Sequence, residues 1–86
     1  MKLKKNIAIS DSGFIFDPAS GNSFTTNPIG LEIIDVLKKG GSEKEIVEKI
    51  TQGYQVDASS FEKDLYDFMN VLVKLKLTEE HEARKD

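Results

Sequence analysis

The side chains that could carry acid–base or covalent chemistry in this chain are few and poorly placed for it. The single histidine, His81, stands among Glu79, Glu80, Glu82, Arg84, Lys85 and Asp86. A general base needs a fixed partner and a pocket, and a histidine in a charged run without large apolar neighbours has neither. Ser10, Ser12 and Ser20 fall in turn-forming stretches with no histidine to activate a hydroxyl. Glu43, Glu45 and Glu48 gather at the start of a helical pattern, where carboxylates complement the helix dipole and solubilise the surface. Gly13 and Gly21 punctuate hairpins. No Gly-x-Gly-x-x-Gly and no Lys-Ser/Thr pattern accompanies them, so they do not form a phosphate loop. Cysteine is absent, which removes disulfides, thiolate nucleophiles and thiolate zinc ligands. No catalytic residue, cofactor site or metal site is expected, and the chain reads as a binding module.

The elements that would position a binding site must come from one small domain. The chain has 86 residues, 38% hydrophobic and 31% charged, which suits a single globular core rather than a disordered segment. No apolar run approaches the roughly 20 residues of a membrane span. The basic start Met1–Lys5 is not followed by the apolar segment of a signal peptide. A soluble cytoplasmic protein is expected. Twelve basic and fifteen acidic residues leave a formal charge of −3. Residues 1–5 carry +3, residues 6–78 carry −4 and residues 79–86 carry −2. An acidic body argues against a nucleic-acid binder, whose affinity comes largely from neutralising phosphates. Residues 1–78 read as the domain and 79–86 as a charged, frayed tail.

Turn chemistry divides the first third into strands. Lys5–Ile9 alternates in character, and Asp11-Ser12-Gly13 follows as a turn. Gly13–Asp17 is aromatic and β-branched, and Pro18–Asn22 forms the second turn. Ser23–Thr26 is a third strand, short enough to be an edge. The period then changes. Asn27-Pro28 starts a helix, with Asn as N-cap and Pro at the first helical position. Ile29, Ile33, Val36 and Leu37 form its apolar stripe, Leu31 and Ile34 widen it, and Lys38-Lys39-Gly40-Gly41 close it. Ser42 and Glu45 make a capping box for a second helix, which runs through Ile46, Val47 and Ile50 to about Gly53. Tyr54–Val56 is an extended link, and Asp57 or Ser59 caps a third and longest helix.

On that third helix Phe61, Leu65, Phe68, Leu72 and Leu75 recur at core spacing. Tyr66, Met69 and Val73 form a second stripe, which either packs on a neighbouring helix or lines a groove. Asp64, Asp67, Val71 and Lys74 lie on the opposite flank, a solvated face on one reading and a recognition surface on the other. The fold class is α+β: a three-stranded antiparallel sheet followed by three helices, in a winged helix-turn-helix-like order.

The order of these motifs resembles the PqqD-like family, the small peptide chaperones also called precursor recognition elements of ribosomally made, modified peptides. The resemblance rests on Gly13-Phe14-Ile15-Phe16-Asp17-Pro18, Ser20–Phe24, Thr26-Asn27-Pro28-Ile29-Gly30, Ile33–Leu37, Ile46-Val47, Val56-Asp57, Asp64–Met69 and Leu72–Leu77, and spans about residues 7–78. It departs from the family at Lys76, where relatives often carry a Gly before the final Leu, and in the charged tail after Thr78. The resemblance implies a protein without catalysis that binds the leader of a precursor peptide and hands it to a modifying enzyme, often a radical SAM protein. It implies that the leader adds as a strand to the third strand and rests on the third helix. Carried onto this chain, the peptide-binding residues are Ser23, Phe24, Thr25, Thr26, Asp64, Asp67, Phe68, Val71 and Lys74. An unpaired edge supplies N–H and C=O groups to such a peptide, and helix side chains supply selection.

Two other readings use the same elements. In a winged-helix transcription regulator the third helix would enter DNA, but its exposed Asp64 and Asp67 oppose phosphate contact. In a dimerising adaptor the exposed edge would pair or swap with a second copy, so a monomer or a weak, swapped homodimer is expected.

Overall fold

The structure, a computed structural model, describes residues 2–79. Three strands come first, β1 (Ala8–Ile9), β2 (Phe14–Phe16) and β3 (Ser23–Thr25), and three helices follow, α1 (Pro28–Lys38), α2 (Glu43–Gly53) and α3 (Ala58–Lys74). The sheet is antiparallel in the order β1-β2-β3. Ile15 opposes Ile9 on one side and Phe24 on the other, so these three share the face turned to the helices. Phe14 and Phe16 point to the opposite face, where their rings stack at 6.4 Å.

Local chemistry sets the helix starts. The Asn27 side chain accepts the Gly30 amide at 2.8 Å, with Pro28 at the first helical position. Ser42 and Glu45 form the reciprocal capping box, Ser42 N–H donating to Glu45 Oε1 at 2.7 Å and Glu45 N–H to Ser42 Oγ at 3.1 Å. Asp57 caps α3 by accepting the Ser60 amide at 3.0 Å. Ile33, Ile34 and Leu37 of α1, Ile46 and Ile50 of α2, and Phe61, Leu65, Met69 and Leu72 of α3 close on Ile15 in one core.

The first strand is shorter than the sequence predicts. Lys5–Ile7 do not join the sheet because other partners hold their neighbourhood. Lys38 Nζ donates to the Ile7 carbonyl at 2.6 Å, and Leu3 bridges antiparallel to Thr78, with Lys4 N–H on Leu77 O and Glu79 N–H on Lys2 O. The basic leading end is thus part of the fold. Leu3 and Ile7 are buried core residues, and Lys4 reaches the buried carboxylate of Asp17 at 3.3 Å. The tail expectation falls on residues 79–86, of which 80–86, His81 included, lie outside the described residues.

Candidate functional site

Register decides which backbone groups of β3 are free. Asp17 N–H donates to Asn22 O and Thr26 N–H to Gly13 O, both at 2.8 Å. In an antiparallel pair the hydrogen-bonded residues alternate, so Phe24 exchanges its bonds with Ile15, while Ser23 and Thr25 turn their N–H and C=O outward. β3 pairs only with β2 among the described strands, which leaves that outer edge open. Thr26, expected as the last residue of the edge, lies just beyond β3. Its amide is spent on Gly13, so it offers the edge no outward donor.

Two glycines let the chain close around Thr26. A Cβ on Gly13, whose φ is +100°, would lie 2.3 Å from the Thr26 carbonyl oxygen. A Cβ on Gly30 would lie 1.8 Å from Thr26 Oγ1. The absence of a Cβ at both positions lets the exit of β3 lie close against the Gly13 turn and the first turn of α1.

β3 runs antiparallel to α3, and two contacts and a shared cavity mark the alignment. At the start of β3, Asn22 Nδ2 donates to the Leu75 carbonyl at 2.8 Å. In the middle, the rings of Phe24 and Phe68 meet edge to face at 6.4 Å. Beyond its end, Asn27 borders a cavity of about 510 Å³ at the first turns of α1 and α3. Ile29, Ile33, Val56, Phe61 and Phe68 give this cavity apolar walls, and Asn27, Asp57, Ser60 and Asp64 give it a polar rim. Asp57 is held below the usual carboxylate range, first by the Ser59 hydroxyl donating at 2.6 Å and then by the Ser60 amide.

The flank of α3 that faces β3 is therefore the one bearing Phe68 and Asp64. At 3.6 residues per turn, Val71 lies about 60° around the helix from Phe68, on the same side as Asp64. Asp67 and Lys74 lie about 100–120° around, still on that side but outward, and both are exposed. The structure thus brings Phe68 and Asp64 to one cavity, with Phe24 joined to it through its contact with Phe68, Val71 on the same flank and Asp67 and Lys74 further outward. The second stripe divides. Met69 is buried, Tyr66 and Val73 are 69% and 51% exposed, and a larger groove of about 690 Å³ joins Tyr66 and Met69 to Val47, Glu43 and Glu48 of α2. That groove lies on the flank of α3 away from the Phe24–Phe68 contact, toward α2.

Several residues of the β3 groove are invisible to periodicity. Phe61, Ile29 and Ile33 read as ordinary core, and Asp57 and Asn27 as caps. Only Val56, an isolated apolar residue in a linker, signals an unpartnered surface. Asp17 is a further omission. It is fully buried, accepts from Ala19 N–H, Ser20 Oγ and Lys4 Nζ, and fixes the β2–β3 turn. These partners, the Ser20 hydroxyl first, hold its carboxyl below its ordinary range.

No group of three or more His, Asp or Glu among the described residues is placed to hold a metal ion. No helix among them is long and apolar enough to cross a membrane.

Fold and site define a class: a small α+β domain, sheet first and helices after, with one open strand edge lying along its longest helix. Within that class the chain belongs to the PqqD family, matching coenzyme PQQ synthesis protein D over residues 13–77. It is also similar to a solved structure described as TbiB1 in complex with the TbiA(beta) leader peptide. The two share 29% identity and a TM-score of 0.82, with all of both chains covered. No curated protein matches the sequence.

Proposed function

We propose that this protein is a non-catalytic peptide chaperone. It binds the leader of a ribosomally made precursor peptide as an added strand on β3, against α3, and presents it to a modifying enzyme. A radical SAM enzyme is the partner class that the family resemblance names. The observation that carries the reading is the open Ser23–Thr25 edge lying beside the Phe24–Phe68 contact, in a fold shared over its whole length with a protein solved on a leader peptide. The edge gives main-chain hydrogen bonds to any extended peptide, and the groove beside it selects among side chains. Ser23, Phe24, Thr25 and Thr26 are the strand side of the site, and Asp64, Asp67, Phe68, Val71 and Lys74 the helix side. In this reading residues 1–78 are the binding domain and 79–86 a charged tail. The step takes place in the cytoplasm, where the precursor is translated.

The regulator reading has no footing on α3. Its exposed positions include Glu62, Asp64 and Asp67 against Lys63 and Lys74, a poor phosphate surface. No gel shift of duplex DNA is expected even at low salt.

The test is an NMR titration of labelled protein with synthetic leaders of precursor peptides encoded beside its gene. Shifts are expected at residues 22–26 and along the Asp64–Phe68–Val71 flank of α3. Shifts confined to the α2–α3 groove or the outer sheet face would overturn the proposed site.

A further inference from the structure

The groove beside β3 is apolar at its base and acidic along its helix rim. Asp57 and Asp64 border the cavity, and Asp67 stands one helical turn further along the same side of α3. The ion pairs among the described residues are Lys4–Asp17, Lys39–Asp35 and Lys49–Asp35, so none of these three carboxylates is in an ion pair with a Lys or Arg among them. On α3 itself, Lys63 lies one turn before Asp67 on the outward side of the helix, about 140° around from Phe68, and makes no ion pair with Asp67 or Asp64. Lys74 is seven residues beyond Asp67, about 10 Å along the axis, which is roughly a Debye length at 0.1 M salt. The apolar walls of the cavity accept a large aliphatic or aromatic side chain. The rim beside them repels an acidic residue and attracts a basic one.

We infer that the peptide recognised by this groove carries a Lys or Arg within about three residues of a large apolar anchor, the anchor filling the cavity and the cation facing Asp64 and Asp67. This rests on the strand-addition reading and deepens it by naming the ligand's charge. Charge complementarity selects this occupant over an acidic or purely apolar peptide. The chain's own residues 80–86 offer Arg84 and Lys85 but no large apolar side chain to fill the cavity.

The test is selection of a displayed library of random 12-residue peptides on the full-length protein. A parallel selection uses the Asp64→Lys/Asp67→Lys variant, whose two changed positions are exposed. The expected winners on the natural protein pair Lys or Arg with Phe, Tyr, Leu or Ile at close spacing. On the variant the charge preference inverts to Asp or Glu. Each single Asp→Asn change is expected to weaken a selected peptide by about two- to fivefold at low salt, the range of an exposed ion pair, and the loss should shrink as salt rises. Selected peptides that shift the amides of Ser23 and Thr25 yet show no basic preference, or keep it unchanged on the variant, overturn the inference and leave strand addition standing. Peptides that bind away from β3, or no enrichment at all, overturn both.

Discussion

The ring of Phe24 in β3 meets the ring of Phe68 in α3 edge-on, with 6.4 Å between centroids and 61° between planes. Both rings are only half-buried, and Phe68 also lines the cavity beyond the end of β3. Edge-to-face pairs contribute about 0.5–1.5 kcal/mol beyond their buried area. A double-mutant cycle in urea with Phe24→Ala, Phe68→Ala and the double change is expected to show a coupling in that range. Leader-peptide affinity, measured by calorimetry, should fall at least about tenfold for either single change, since each removes one wall of an apolar contact worth about 1.4 kcal/mol or more.

The alternation of β3 separates stability from binding. Thr25 turns its N–H outward, whereas Phe24 spends its own on Ile15. Proline removes that donor and is tolerated on an edge strand when the lost N–H faces solvent. Thr25→Pro is expected to keep a cooperative thermal transition near that of the natural protein while losing most peptide affinity. Phe24→Pro should unfold the sheet. Equal thermal destabilisation by both would contradict the register that leaves Thr25 free.

Much of this arrangement is legible in the sequence, and the division follows the range of the forces involved. Asn27 with Gly30, and Ser42 with Glu45, are contacts three residues apart, so the cap residues mark both helix starts without knowledge of the rest. The stripe of α3 marks which residues are apolar but not which neighbour each meets. Met69, Tyr66 and Val73 share one stripe, and only the position of α2 decides that the first is buried and the other two are exposed. The pairing of Leu3 with Thr78 spans nearly the whole chain, and three lysines around Leu3 disguise a core residue as a charged terminus. Asp17 looks like the end of a strand because its three partner groups come from a turn and from Lys4, thirteen residues away.

The contact between Gly30 and Thr26 predicts a compensating pair. An alanine methyl at position 30 would collide with Thr26 Oγ1, and the β3 exit or the first turn of α1 would have to shift. Overpacking of this kind costs roughly 1–3 kcal/mol. Gly30→Ala should lower the urea midpoint accordingly, and adding Thr26→Ala, which removes the hydroxyl and methyl nearest the intrusion, should recover part of the loss.

Asp17 predicts how the fold responds to acid. Its carboxyl is held below the ordinary aspartate value of about 3.9, so the folded state binds that proton less readily than the unfolded chain. Its contribution is fully present above about pH 4 and is lost as pH falls through the lowered folded value. Urea midpoints measured from pH 6 to pH 2 should decline below about pH 4. Asp17→Asn should start lower at neutral pH and flatten part of that decline. Ser20→Ala should weaken the pH dependence more than Lys4→Gln, because the Ser20 hydroxyl is the larger cause of the shift.

The end of α3 carries a strain that one substitution would relieve. Lys76 adopts φ +61°, the only non-glycine residue with positive φ among those described. It does so because Leu77 N–H reaches back to Leu72 O at 3.0 Å and Lys76 N–H to Val73 O at 2.9 Å, the two bonds of a Schellman closure. That closure turns Leu77 into the core and directs Thr78 onto Leu3. The left-handed conformation costs an L-residue roughly 1–2 kcal/mol, and glycine escapes most of this at some expense in unfolded-chain entropy. Lys76→Gly is therefore expected to stabilise the protein by about 0.5–1 kcal/mol. Lys76→Val, β-branched at a position that demands positive φ, should destabilise it by more than that. Since Asn22 bonds the adjacent Leu75 carbonyl, the glycine variant should leave the amide shifts of Ser23–Thr25 and the peptide affinity unchanged while raising the urea midpoint. A lower midpoint for Lys76→Gly would mean that the lysine side chain contributes more at this corner than its backbone costs.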